Sequence, residues 1–170
     1  QHTLASIYGL AGHFCIRKEY KKALKYNDEA IEITRSSDLG GFYHAYSYLY
    51  RGNTYLEMEN FASAINDYQE AAELLSRSRG IDCSDYSIIL RNIAYSRFRQ
   101  GDFPKAVQMQ EMSLDIDYKN NRSSGNDYGI SLCGYIETKI QSKDIDDIPD
   151  LIQKAQTIQE YLKKKNTSTD

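Results

Sequence analysis

ENFASAINDYQEAAEL, residues 59–74, decides the fold because its pattern recurs. KEYKKALKYNDEAIEI from Lys18 and GDFPKAVQMQEMSLDI from Gly101 share it. In each, an aromatic residue (Tyr20, Phe61, Phe103) follows a short polar turn. An alanine (Ala23, Ala64, Ala106) comes three residues later, and a small residue (Ala30, Ala71, Ser113) seven after that. A weaker fourth copy, KDIDDIPDLIQKAQTI from Lys143, puts Ile145, Ile148 and Ala155 in those places. Ala23, Ala64, Ala106 and Ile148 are separated by 41, 42 and 42 residues. Self-similarity at a fixed period of this size marks stacked units, each too small to bury its apolar face alone.

A second amphipathic helix precedes each of these segments, clearest as AYSYLYRGNTYLEM from Ala45. Short joints near 17–19, 59–60, 100–102 and 143–144 make each pair an antiparallel helical hairpin, and longer breaks at 36–41, 76–84 and 119–126 separate the hairpins. With only Pro104 and Pro149 to interrupt stretches rich in alanine, leucine, lysine and glutamate, the class is all-α. The expectation is eight helices in one domain over 1–170, with repeats at about 4–36, 42–78, 85–118 and 127–163 and a polar tail at 164–170.

These residues resemble the tetratricopeptide repeat, whose pattern is an aromatic, Leu-Gly and Tyr on the first helix and Ala, aromatic, Ala on the second. Repeat two carries Tyr48, Gly52, Tyr55, Ala64, Tyr68 and Ala71 in those places. Small side chains are required there because the two helices of a hairpin cross closely. The chain departs from the pattern at Arg51, where the family has leucine, and at Asn27, where repeat two has Tyr68; repeat four keeps little beyond the apolar spacing. The resemblance implies a right-handed α-α superhelix of about four hairpins that binds protein or extended peptide and has no catalytic activity. A period longer than the usual ~34 residues resembles the variants in kinesin light chains, in polarity adaptors that hold extended peptides and in bacterial peptide-responsive regulators. The narrower expectation is the sensor or interaction part of a larger bacterial regulatory protein.

In this family the first helices line the concave surface, so the face opposite the packing stripe Tyr48, Gly52 and Tyr55 is the expected groove. The register places Tyr46, Leu49, Asn53 and Leu56 there in repeat two, and Ala5, Tyr8, Gly12 and Cys15 in repeat one. It adds Ile88, Arg91, Tyr95 and Phe98 in repeat three, and Ile130, Cys133, Glu137 and Ile140 in repeat four. Asn53 offers an amide to a peptide backbone, Arg91 a partner for a carboxylate and Glu137 one for a basic side chain. Leu49 and Tyr95 break the carboxylate clamp of the chaperone-binding members, which leaves an extended peptide with apolar anchors as the expected ligand. The competing reading is that this aromatic stripe packs against the next hairpin.

Other chemistry lacks its starting signal. A formal charge of −3 with interspersed signs, and no basic run beyond Lys163–Lys165, argues against nucleic acid. No run of apolar residues suits a membrane span, and no leader opens the chain, which starts at Gln1 as a segment or a processed product would. Cys15, Cys83 and Cys133 are too widely spaced for a metal clip or a disulfide framework and read as free, buried or half-buried thiols, for which cytoplasm is the default compartment. A removed signal peptide would make the chain periplasmic or extracytoplasmic, where the acceptor motifs at Asn121 and Asn166 gain meaning in a eukaryote. His13 and Cys15 point to different helix faces, and His44 has no ligating neighbour at helical spacing. The cluster Asp144, Asp146, Asp147 and Asp150 lacks the glycine and glutamate of a calcium loop and reads as helix capping. No cofactor or metal is expected. In the last helix, Leu151, Ala155, Ile158 and Leu162 form a narrow apolar seam that either packs back on the preceding hairpins or, uncovered, makes a homodimer through the C-terminal helix.

Overall fold

The structure is a computed structural model and describes residues 3–36, 40–120 and 126–167. Eight helices lie among them: α1 (Leu4–Ile16), α2 (Tyr20–Ser36), α3 (Gly41–Glu57), α4 (Phe61–Arg79), α5 (Ser84–Arg99), α6 (Phe103–Lys119), α7 (Asn126–Ser142) and α8 (Ile148–Thr167). No strand occurs among the described residues. They form two compact units, Gln1–Ile81 and Asp82–Asp170. In the first, α1 packs on α2 and α3 on α4, with α3 also against α1 and α2; in the second, α5 packs on α6, α6 on α7 and α7 on α8.

The period of the sequence is written into the backbone at the hairpin turns. Lys18, Glu59, Gly101 and Lys143 have φ of 59°, 57°, 78° and 63°. After each, the next N–H reaches back to a carbonyl five residues earlier: Glu19 to Phe14 at 2.9 Å, Asn60 to Tyr55 at 2.9 Å, Asp102 to Arg97 at 2.9 Å and Asp144 to Lys139 at 3.1 Å. This left-handed cap satisfies carbonyls that the helix end would leave unpaired and turns the chain back on itself. The helices that follow start cleanly. Asn60 accepts from Ser63 N–H at 3.2 Å, and Pro104 sits in the first turn of α6, where a missing N–H costs nothing.

The repeated small residues form the core. Ala23, Ala64 and Ala106, and after them Ala30, Ala71 and Ser113, are all fully buried. The close crossing is tightest at Gly52, where an added Cβ would lie 2.7 Å from Cε1 of Tyr68. In the fourth hairpin, Ile145 is exposed rather than an anchor, because the turn there opens into 144–147 before α8 begins.

The seam of α8 turns inward. Ile158 joins a buried cluster with Leu114, Tyr128, Leu132 and Tyr135, and Leu151 and Ala155 pack against it. The side chains of Leu162 and Ile130, and the acceptor at Asn121, lie outside the described residues. α8 itself runs on through Lys163–Lys165 to Thr167. Asp144 and Asp147 hold the ammonium of Lys139 at 3.1 and 2.7 Å, and these bonds keep the buried lysine protonated far above neutrality. Cys15 and Cys83 are half-buried. Cys133 is exposed, contrary to the expectation for all three, because the inward face of α7 is taken by Tyr128, Leu132 and Tyr135.

Candidate functional site

The first unit carries an aromatic row on the side where α1 and α3 meet. Phe42, Tyr46 and Tyr50 recur every four residues along α3, so their rings stand above one another, with centroids 4.6 and 6.1 Å apart. Tyr8 of α1 extends the row, its ring 4.6 Å from that of Tyr50. Its hydroxyl donates to the Tyr43 carbonyl at 3.2 Å and lies 2.8 Å from Ser47 Oγ, and burial pushes the phenol up from its ordinary pKa. Arg79 covers Phe42 with its guanidinium 3.5 Å from the ring centre. Within the row Tyr50 is 38% exposed while Tyr8, Phe42 and Tyr46 are half-buried, and Tyr43 beside it is 45% exposed.

The row ends at a cleft of about 460 Å³ framed by Gly12 and Cys15 of α1, Asn27 of α2, and Tyr50, Asn53 and Glu57 of α3. Its origin is a difference between two hairpins. In hairpin two, Tyr68 fills the space against Gly52, and its hydroxyl donates to Asn53 Oδ1 at 2.8 Å. One period earlier, Asn27 replaces Tyr68 and Gly12 replaces Asn53, two shorter side chains that leave the space open. Asn27 is fully buried and donates to Thr54 Oγ1 at 2.8 Å, while its Oδ1 is buried without a partner among the described residues. Burial raises the pKa of Cys15, so that wall of the cleft is a neutral thiol at physiological pH.

Tyr8, Tyr46 and Asn53 are thus brought to one face through Tyr50, which the groove register did not include although it follows Tyr46 at helical spacing. Leu56 is half-buried beside them in sequence. Leu49 is a correction: at 8% exposure it belongs to the core, because α3 is enclosed by α1, α2 and α4 and its inward stripe is wider than Tyr48, Gly52 and Tyr55 alone.

Arg91, Tyr95, Phe98 and Glu137 belong to the second unit. Arg91 donates to Ser131 Oγ at 3.0 Å and lies 3.7 Å from the carboxylate of Asp117, which is 1% exposed. Tyr95 is exposed and accepts from Arg99 at 2.9 Å; Phe98 is half-buried with its ring 5.7 Å from Phe103, and Glu137 is exposed. Among the described residues no group of three or more His, Cys, Asp or Glu is placed to hold a metal ion, and no helix is long and apolar enough to cross a membrane.

Residues 43–119 match the family model of the tetratricopeptide repeat. Over that stretch the chain is similar to the tetratricopeptide repeat. The matched stretch takes in α3 to α6, the hairpins whose small and aromatic positions follow the repeat pattern most closely. No curated protein sequence matches the chain. Solved structures share the tetratricopeptide fold at low identity. The nearly identical TPR-like repeats of a kinesin light chain candidate from Podosopora anserina align with a TM-score of 0.81 at 14% identity, covering 93% of this chain and 75% of that one. The apo form of RapI aligns at 0.82 and 13%, covering 97% and 58%. Aspartyl phosphate phosphatase F from Bacillus subtilis aligns at 0.82 and 11%, covering 95% and 42%. The chain thus spans little more than half of RapI and less than half of the phosphatase. Tetratricopeptide repeats are scaffolds for protein interaction, built to present extended surfaces rather than to carry chemistry.

Proposed function

We propose that this chain is a non-catalytic module that binds a protein segment or extended peptide along the first-helix faces of its hairpins, chiefly that of α1 and α3. The observation that supports this reading is the partly exposed aromatic row running into the cleft on one face of the first unit. Tyrosine rings provide large contact area at low entropic cost and hydroxyls for orientation, and a concave pocket with few polar groups fixes one anchor. A narrower reading makes the chain the sensor or interaction part of a larger bacterial regulatory protein. It is supported by the likeness to RapI and to aspartyl phosphate phosphatase F, both longer chains of the same fold. Assembly through α8 has less support, since Leu151, Ala155 and Ile158 spend their apolar surface on the hairpin itself.

The test is selection of binders from a displayed library of random dodecapeptides, then titration against the wild type and a Tyr46→Ala, Tyr50→Ala variant. Loss of about tenfold or more in affinity with unchanged helicity is the expected outcome. Equal affinity in the two proteins removes the aromatic row from the binding face. Arg91→Glu is unsuitable here, because it sets a second carboxylate against the buried Asp117.

A further inference from the structure

We propose that the cleft between α1 and α3 is an acceptor site for a tyrosine side chain of the bound segment, its phenol donating to Asn27 Oδ1. The inference rests on the peptide-binding reading of this face and supplies the anchor's chemistry. The template is inside the molecule. In hairpin two the equivalent space holds the ring of Tyr68, and the only polar demand of that ring is met by a carboxamide oxygen, Asn53 Oδ1, at 2.8 Å. In hairpin one the ring is missing and a carboxamide oxygen is present, buried and unpaired among the described residues, beside about 460 Å³ of space. An unmade hydrogen bond at a buried acceptor is costly, so an occupant that brings a donor recovers that cost and an isosteric ring without one does not. Ala11 stands one period before Gly52, where a Cβ would lie 2.7 Å from the Tyr68 ring, so a tyrosine grafted at 27 needs glycine at 11 to seat its ring as Tyr68 does.

The experiment titrates p-cresol and toluene into the full chain and follows backbone amides by NMR. Saturable p-cresol shifts at Cys15, Asn53 and Thr54, with toluene at least about tenfold weaker, are expected. No shifts, shifts elsewhere, or equal binding of the two probes overturn the proposal. The Ala11→Gly, Asn27→Tyr double variant rebuilds the Gly52–Tyr68 pair inside the cleft and abolishes p-cresol binding. Should that variant not fold, Gly12→Leu serves, since a Cβ at Gly12 meets open space; undiminished p-cresol binding in the folded variant contradicts the proposal. Displayed peptides separate this idea from the reading beneath it. Peptides that still bind α1 and α3 after their own tyrosines are changed to alanine overturn the tyrosine site alone. Specific p-cresol binding with no peptide binding at all upholds the cleft's chemistry and overturns the peptide reading.

Discussion

Arg51 stands where the repeat pattern calls for leucine, and the structure gives the reason. Its guanidinium donates twice to the carboxylate of Asp67, at 2.8 Å each, and once to Asp28 at 2.8 Å, tying α3 to both α4 and α2. Asp67 is 5% exposed, so Arg51→Leu strands a buried charge and costs about 2–3 kcal/mol by chemical denaturation, part of which Asp67→Leu in the same chain restores. Gly52→Ala drives a methyl into the Tyr68 ring and costs about 1–3 kcal/mol in the same assay. His44 carries a pH signature. Burial, with Arg35 nearby, lowers its pKa from the ordinary 6.5, and Glu70 opposes this only in part. The unfolded chain therefore takes up the proton first. Stability holds above about pH 6.5 and falls as the pH drops below it, so the melting temperature declines toward pH 5 in wild type and declines less in His44→Gln. Arg51 and Asn27 were visible in the sequence as departures from pattern. What they do was not, because their partners Asp67, Asp28 and Thr54 lie 16 to 27 residues away and no local spacing rule connects them.

Among the elements, the helix pairs were legible because one 41 to 42 residue period controls both the buried alanines and the left-handed residue in each turn. Three of those turns place Lys or Glu where glycine is at ease, and only Gly101 avoids the crowding of a Cβ by the following carbonyl. Gly101→Ala should therefore cost about 1 kcal/mol, whereas Glu59→Gly should be neutral or slightly stabilising, read from paired denaturant midpoints. The burial of Leu49 was not legible from α3 alone, since the width of its inward stripe depends on three neighbouring helices. The seam of α8 was legible as a seam, and its partner emerges only with the cluster around Tyr128 and Leu132. Ile158→Lys buries a charge in that cluster and should melt α7 and α8 locally, raising amide exchange there while α1 to α4 stay protected.

For the whole molecule, the sequence reads as one array over 1–170, and the described residues gather into two compact units, Gln1–Ile81 and Asp82–Asp170. Each unit buries its own repeat alanines or its own aromatic cluster, so residues 1–81 produced alone should be helical, melt cooperatively and keep the cleft. The binding claim is harder to read from sequence than the fold, because aromatic residues at helical spacing serve core and surface alike. Only their exposure in the folded chain separates Leu49 from Tyr43 and Tyr50. The most direct test of that claim is amide chemical-shift mapping of the full chain with the tightest peptide from the displayed library. The account predicts that the shifted amides concentrate on α1 and α3, around Tyr8, Tyr46, Tyr50 and Asn53. Shifts that leave α1 and α3 untouched, or a library that yields no binder, would contradict it.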